Sequence, residues 1–230
     1  ATTDFRRECN IWLGFDEPGI VPLLKVVTVN NNIFALMPRY SGNLRDLMTA
    51  NALTPIQLLK LLRQPISALS AVHARYGAVH QDIKPENFLY EWKDESPTLY
   101  LSDWGIANVQ ASALAENHHD LSDFALTTMG GFGTMPYMAP ERFVSYISDI
   151  RADIFSLGMV FLELITGSLP FNPEVPVVGQ ILSGEYYHKA QQSITGYPAS
   201  FSRFLLSMIH PTENMRPDSF KELLKLLKSI

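Results

Sequence analysis

His80-Gln81-Asp82-Ile83-Lys84-Pro85-Glu86-Asn87 is the densest polar stretch of the chain, and Asp103-Trp104-Gly105 begins sixteen residues after Asn87. An acid, a cation and an amide fall within six positions, and a second acid follows a short hairpin pattern. That set suits phosphate and a hard cation. Mg²⁺ prefers oxygen ligands and commonly takes one or two from protein and the rest from water and phosphate.

Upstream of this stretch the pattern is helical. Thr54-Pro55 is a cap followed by proline in the first turn, and it opens a long helix that interior Pro65 is expected to kink. A shorter amphipathic turn covers Leu44 to Met48. Before it come two strand-like runs, Val21 to Val29 and Ile33 to Met37, joined by Asn30-Asn31-Asn32, whose side chains tolerate left-handed turns. Phe5, Cys9, Trp12 and Leu13 have helical spacing, and Glu17-Pro18-Gly19 ends that element.

Downstream, Phe88 to Tyr90 and Leu99 to Leu101 read as extended pieces flanking a polar insert, Glu91 to Pro97, in a hairpin. Asp103 to Tyr146 shows little periodicity. Helices then dominate: an apolar one over Asp149 to Thr166 closed by Gly167, another over Phe201 to Ile209, and an amphipathic one over Ser219 to Ile230. In the last, Phe220, Leu223, Leu224 and Leu227 face inward, and Lys221, Lys225 and Lys228 form an ordinary solvated face.

The loop at residues 80–87 resembles the catalytic loop of eukaryotic-type protein kinases, and Asp103-Trp104-Gly105 resembles their magnesium-binding Asp-Phe-Gly motif. Gly133-Thr134-Met135-Pro136-Tyr137-Met138-Ala139-Pro140-Glu141 is similar to the end of a kinase activation segment. Asp153-Ile154-Phe155-Ser156-Leu157-Gly158 is similar to the start of the large central helix, and Arg216 stands where the family's arginine pairs with the segment-ending glutamate, here Glu141. Five motifs in order span nearly the whole chain.

The resemblance implies an α+β, two-lobe kinase fold, mostly the helical C-lobe. A partial N-lobe would occupy residues 1–37, a hinge 38–43 and the C-lobe 44–230. It implies ATP and Mg²⁺ as cofactors, and transfer of the γ-phosphoryl to a serine or threonine hydroxyl of a protein substrate. Asp82 would accept or orient the hydroxyl proton, Lys84 would neutralise charge on the transferring group, and Asn87 and Asp103 would hold Mg²⁺. His80 would be structural. Thr134 would bond the catalytic aspartate and lysine, and Lys84 and Thr134 together match the serine/threonine branch. Glu8 would be the helix glutamate that pairs with a strand lysine. Pro38-Arg39-Tyr40 matches the adenine-binding hinge, with Met37 as gatekeeper and Leu89 also at the nucleotide.

Three departures bear on activity. No glycine-rich segment and no strand lysine precede Glu8; both are expected upstream, in roughly thirty residues holding three strands. Gln81 stands where many kinases have an arginine, and no Lys or Arg lies between Asp103 and Glu141. A phosphate on Thr127 or Thr128 would lack cationic partners in that loop, so activity is expected not to depend on phosphorylation there. Trp104 replaces phenylalanine, which the same apolar slot accepts if the indole N–H finds a partner.

Composition is consistent with this reading. With 230 residues, 47% of them hydrophobic, the chain can bury a sizeable core, and disorder or a disulfide scaffold is excluded. Eighteen basic against 23 acidic residues, net charge −5, argue against a nucleic-acid partner. The single Cys9 reads as a small buried hydrophobe, in keeping with a reducing, cytoplasmic setting. The apolar run Ile154 to Ile165 contains Glu163 and is too short to be a membrane segment. Adjacent His118 and His119 point apart, against a metal site. A pseudokinase acting as a scaffold is the alternative, although a scaffold has no chemical reason to keep Asp82, Lys84, Asn87 and Asp103.

Overall fold

The computed structural model describes residues 9–30, 32–50, 53–104, 108–109, 135–144 and 149–230. All the strands lie in its first half, beside a long helix, and helices dominate its second.

Residues 9–13 are helical, with Cys9 and Trp12 buried. The Trp12 indole N–H donates to the Val21 carbonyl at 2.7 Å, and the Val21 N–H donates to the Leu101 carbonyl at 2.9 Å. Those bonds explain why the first strand, β1, spans Lys25–Val29 rather than starting at Val21. The groups of Val21 are already committed, and Pro22 has no N–H to offer. Strand β2, Asn32–Leu36, pairs antiparallel with β1 with Val27 opposite Phe34. Asn30 takes φ +48, the left-handed turn expected of that asparagine run.

Strand β3, Gly42–Asn43, leads into a short helix, Leu44–Thr49, with a capping box between Asn43 and Asp46. A Cβ on Gly42 would lie 2.7 Å from an Asp46 carboxylate oxygen and 3.0 Å from the Tyr90 ring, so a larger residue would have to displace the capping carboxylate. The long helix, Pro55–Tyr76, is capped by Thr54 and Gln57. It runs on through Pro65 rather than ending there. Leu61, Leu62, Ile66, Leu69 and Val72 are all buried around the proline, and packing of this face offsets the missing backbone bond.

Gly77, at φ +62, ends that helix and turns the chain into strand β4, Ala78–Val79, which pairs with β7, Asn108–Val109. Strands β5, Phe88–Lys93, and β6, Ser96–Leu101, are longer than the pieces read from sequence. The supposed polar insert is drawn into the ladder, and only Asp94 and Glu95 turn, Asp94 at φ +54. Glu91, Trp92 and Lys93 are strand residues whose polar face meets solvent, which is why the period-2 signal was weak.

The central helix, Ile150–Thr166, has Asp149 as its N-cap and Gly167, at φ +78, as its C-cap. Every residue from Ile150 to Leu162 is buried except Arg151, as suits a helix at the core. Gly158 permits close approach: a Cβ there would fall 2.6 Å from Ile209 Cγ2 and 2.8 Å from Met208 Cβ. Two helices absent from the sequence reading, Val177–Ser183 and Glu185–Ser193, share Gly184 at φ +75 as their joint. Both are too short to show periodicity, and tertiary contact sustains them, with Tyr186 fully buried and its hydroxyl donating to the Ile209 carbonyl at 2.9 Å. Helix Ala199–Met208 packs against the central helix, and helix Phe220–Leu227 against the long helix. Lys221, Lys225 and Lys228 are exposed.

Candidate active site

The segment His80 to Asn87 is held by burial and by bonds to elements distant in sequence. Asp153, in the first turn of the central helix and 1% exposed, accepts the His80 N–H at 2.6 Å and the Gln81 N–H at 2.7 Å on its two carboxylate oxygens. Burial pushes the Asp153 carboxyl above its usual range, while His80, the two N–H donors and Arg142 oppose that rise. Gln81 sits at φ +68, a left-handed conformation that is strained for a residue other than glycine. Asp153 and an Arg142 guanidinium bond to the Gln81 carbonyl hold it there.

His80 is fully buried. Its Nδ1 accepts the Asp82 N–H at 3.2 Å, so Nε2 carries the proton and donates to the Ser102 carbonyl at 2.9 Å. Both ring nitrogens are therefore occupied, and the ring packs on Trp104 with centroids 4.6 Å apart.

Asp82 is 7% exposed. Its Oδ2 accepts from Lys84 Nζ at 2.6 Å and from Asn87 Nδ2 at 3.2 Å, and its backbone carbonyl accepts from Asn87 Nδ2 at 2.7 Å. No described residue bonds Oδ1, which leaves one carboxylate oxygen for a hydroxyl proton. Because Asn87 spends its amide nitrogen on Asp82, its amide oxygen is the atom left for a cation.

Asp103 reaches the same place through the β5–β6 ladder. Phe88 pairs with Leu101, and Ser102 donates to the Asn87 carbonyl through its N–H at 2.8 Å and its hydroxyl at 2.9 Å. Asp103 follows at φ +60 and is exposed, with no hydrogen bond to its carboxylate from any described residue. An amide oxygen and a carboxylate are the hard oxygen donors that Mg²⁺ prefers.

The Trp104 ring fills its slot completely, 0% exposed, edge-on to Phe15 at 4.7 Å between centroids. Its buried Nε1 has no hydrogen-bond partner among the described residues. An unsatisfied donor of this kind costs about 1–3 kcal/mol.

Glu141 and Arg216 form the expected pair, bidentate at 2.7 and 2.8 Å, with the Arg216 side chain fully buried. Arg216 Nε also donates to the His210 carbonyl at 2.8 Å, and its guanidinium lies 4.8 Å from the Phe155 ring centroid.

Met37, Pro38, Arg39 and Tyr40 form a non-regular link after β2, with Met37 38% exposed. The link meets β5 through a bond from the Ser41 N–H to the Tyr90 carbonyl at 2.9 Å, beside Leu89, which pairs with Asn43 and Tyr100. Tyr40 packs on Tyr100 at 5.1 Å, and partial burial, with Glu91 nearby, pushes its hydroxyl up to about 12. Glu8, Thr134, Thr127, Thr128, His118 and His119 lie outside the described residues.

Sequence reasoning missed one cluster altogether. Arg45 donates to Glu86, Glu163 and the Tyr137 hydroxyl, joining three elements beside the loop. The available signal was Glu163 itself, the one charged residue in the run Ile154 to Ile165, which needs a partner when enclosed.

A family model described as the protein kinase domain matches residues 1–226. The serine/threonine-protein kinase PknD of Mycobacterium tuberculosis is 37% identical over 172 residues, 74% of this chain and 24% of PknD. PknE of the same organism is 35% identical over 172 residues, 74% of this chain and 28% of PknE. The chain thus spans about a quarter of the length of these curated relatives. A solved structure, described as the crystal structure of Rad53 kinase domain and SCD2, shares the fold with a TM-score of 0.76 at 22% identity, covering 98% of this chain and 78% of that one.

Proposed function

Since the chain belongs to the protein kinase family, we propose that it carries the catalytic loop of a serine/threonine kinase, which moves the γ-phosphoryl of ATP to a protein hydroxyl. The observation that carries this reading is the state of Asp82. One of its carboxylate oxygens is fixed by Lys84 and Asn87, and no described residue takes the other.

Asp82 Oδ1 accepts the hydroxyl proton or orients the hydroxyl for in-line attack, and the fixed loop supplies the positioning that such transfers chiefly need. Lys84, held at Oδ2, neutralises charge on the transferring group. Asn87 through Oδ1 and Asp103 through its carboxylate would hold Mg²⁺. When bound, the ion supplies charge neutralisation of the phosphate oxygens. Residues 38–40 and Leu89 line the adenine side, Met37 is the gatekeeper, and Glu8 and Thr134 complete the helix pair and the acceptor side. Residues 1–37 belong to the strand-rich lobe, 38–43 to the hinge and 44–230 to the helical lobe.

The 37% identity to a relative named as a serine/threonine-protein kinase supports that acceptor class. No helix among the described residues is long and apolar enough to cross a membrane. A cytoplasmic site of action suits an ATP-dependent enzyme.

The test is Asp82→Asn in the full-length protein, with radiolabelled ATP and an acceptor peptide. Turnover is expected to fall by about 10²–10⁴-fold while nucleotide affinity stays within about two-fold. Turnover near that of the wild type would refute the assignment.

A further inference from the structure

Arg45 lies in the first turn of helix Leu44–Thr49 and sends its three guanidinium nitrogens to three different elements. Nε donates to Glu86 Oε1 at 2.9 Å, Nη1 to Glu163 Oε1 at 2.7 Å and Nη2 to the Tyr137 hydroxyl at 2.5 Å. The Tyr137 hydroxyl in turn donates to Glu163 Oε2 at 2.5 Å. Glu163 therefore spends both oxygens in the cluster.

The cluster runs from an open limb, with the Glu86 side chain 42% exposed, to an enclosed one at the central helix. The Glu163 side chain is 12% exposed and Tyr137 is 2% exposed. Burial and the bond to Glu163 push the Tyr137 hydroxyl above its usual range, so it stays protonated and can donate. A guanidinium spreads five donors over three nitrogens in a rigid plane, whereas an ammonium directs its three donors from a single atom.

What the bonds join matters for the reaction. Glu86 is carried on the loop between Asp82 and Asn87. Tyr137 closes the turn Met135–Tyr137, which follows Thr134 directly in the chain. Glu163 belongs to the rigid central helix. None of these bonds reaches residues 37–40, Leu89 or Asp103.

We propose that Arg45 is a positioning residue for the acceptor side of the site: it holds the Met135–Tyr137 turn and the catalytic loop against the central helix, and so governs affinity for the hydroxyl-bearing protein substrate rather than for nucleotide. The proposal rests on the kinase reading above. It adds a residue that touches neither reactant and acts through Glu86 and Tyr137.

The experiment compares full-length wild type, Arg45→Ala and Arg45→Lys, using an acceptor peptide chosen with the wild type from a serine/threonine peptide array. Amide exchange is measured across residues 135–144 in the same proteins. In Arg45→Ala the peptide KM is expected to rise about ten-fold, the KM for ATP to stay within about two-fold, and exchange at 137–139 to speed up. Arg45→Lys is expected to recover less than half of the loss.

An unchanged peptide KM would overturn the proposal. So would a parallel change in both KM values and kcat accompanied by a lower Tm, since that is the mark of a general structural role. A wild type that phosphorylates no peptide defeats the kinase reading instead, and the exchange measurement then decides the tether alone: unchanged exchange in Arg45→Ala refutes it, and faster exchange upholds it.

Discussion

Asp153→Asn removes one acceptor from the point where the central helix grips the catalytic loop. The wild-type carboxylate takes the His80 N–H at 2.6 Å and the Gln81 N–H at 2.7 Å, one on each oxygen. Asparagine keeps a single carbonyl oxygen and turns an NH₂ toward the other N–H, so one bond is lost and two donors face each other. The lost charge-assisted bond accounts for about 1.5–3 kcal/mol, and the buried orphan N–H for about 1–3 kcal/mol.

Part of this is returned. Burial raises the Asp153 carboxyl, so the ionised acid carries a desolvation penalty that a neutral amide does not. The net expectation is a loss of about 3 kcal/mol. For a chain of this size that corresponds to a Tm lower by about 6–12 °C, and the urea midpoint should fall with an unchanged slope.

A second effect follows at Gln81. Its φ of +68 persists because its N–H and carbonyl are both held. Once released, the backbone relaxes toward negative φ and carries Asp82 out of line, so turnover should fall by at least about ten-fold in steady-state assays of the full-length protein. Gln81→Gly in the same background should restore part of the stability, because glycine accepts positive φ without strain. A variant within 2 °C and two-fold of wild type, thresholds of about one-third of the smallest effects above, would show that the Asp153 bonds do not hold the loop.

Tyr137 and Tyr186 have hydroxyls raised by burial, and Tyr40 is raised to about 12. Folding favours their protonated forms, so this stability is complete below the unfolded tyrosine value of about 10 and is lost as pH climbs through the folded values. Tm followed by circular dichroism from pH 9 to 12 should fall more steeply for wild type than for Tyr186→Phe; equal slopes would remove Tyr186 from the account. Phosphatase treatment of the active full-length kinase is expected to leave its turnover unchanged, because Gln81 replaces the usual arginine and no cation lies between Asp103 and Glu141. Lost activity that returns when Thr127 or Thr128 is rephosphorylated would contradict this.

Residues adjacent in sequence, or bound by a local rule, were legible without coordinates. Thr54-Pro55 marked the start of the long helix, Gly167 closed the central one, and His80 to Asn87 stood out because polar groups so dense need a common task. Boundaries failed where distant atoms competed for the backbone: Val21 left its strand for Leu101 and Trp12, and Glu91 to Lys93 joined a ladder that their polarity had concealed. The chain alone therefore determined the kind of protein and foretold the Glu141–Arg216 pair, and it nominated Asp82, Asn87 and Asp103 for the site. Tertiary structure decided which oxygen of Asp82 is engaged by Lys84 and Asn87, that Gln81 holds a left-handed bend, that Trp104 is buried without a partner for its N–H among the described residues, and that Arg45 gathers Glu86, Tyr137 and Glu163. Hydrogen bonds between residues scores of positions apart leave no periodic trace along the chain, and so they emerge only once the core has brought their donors and acceptors together.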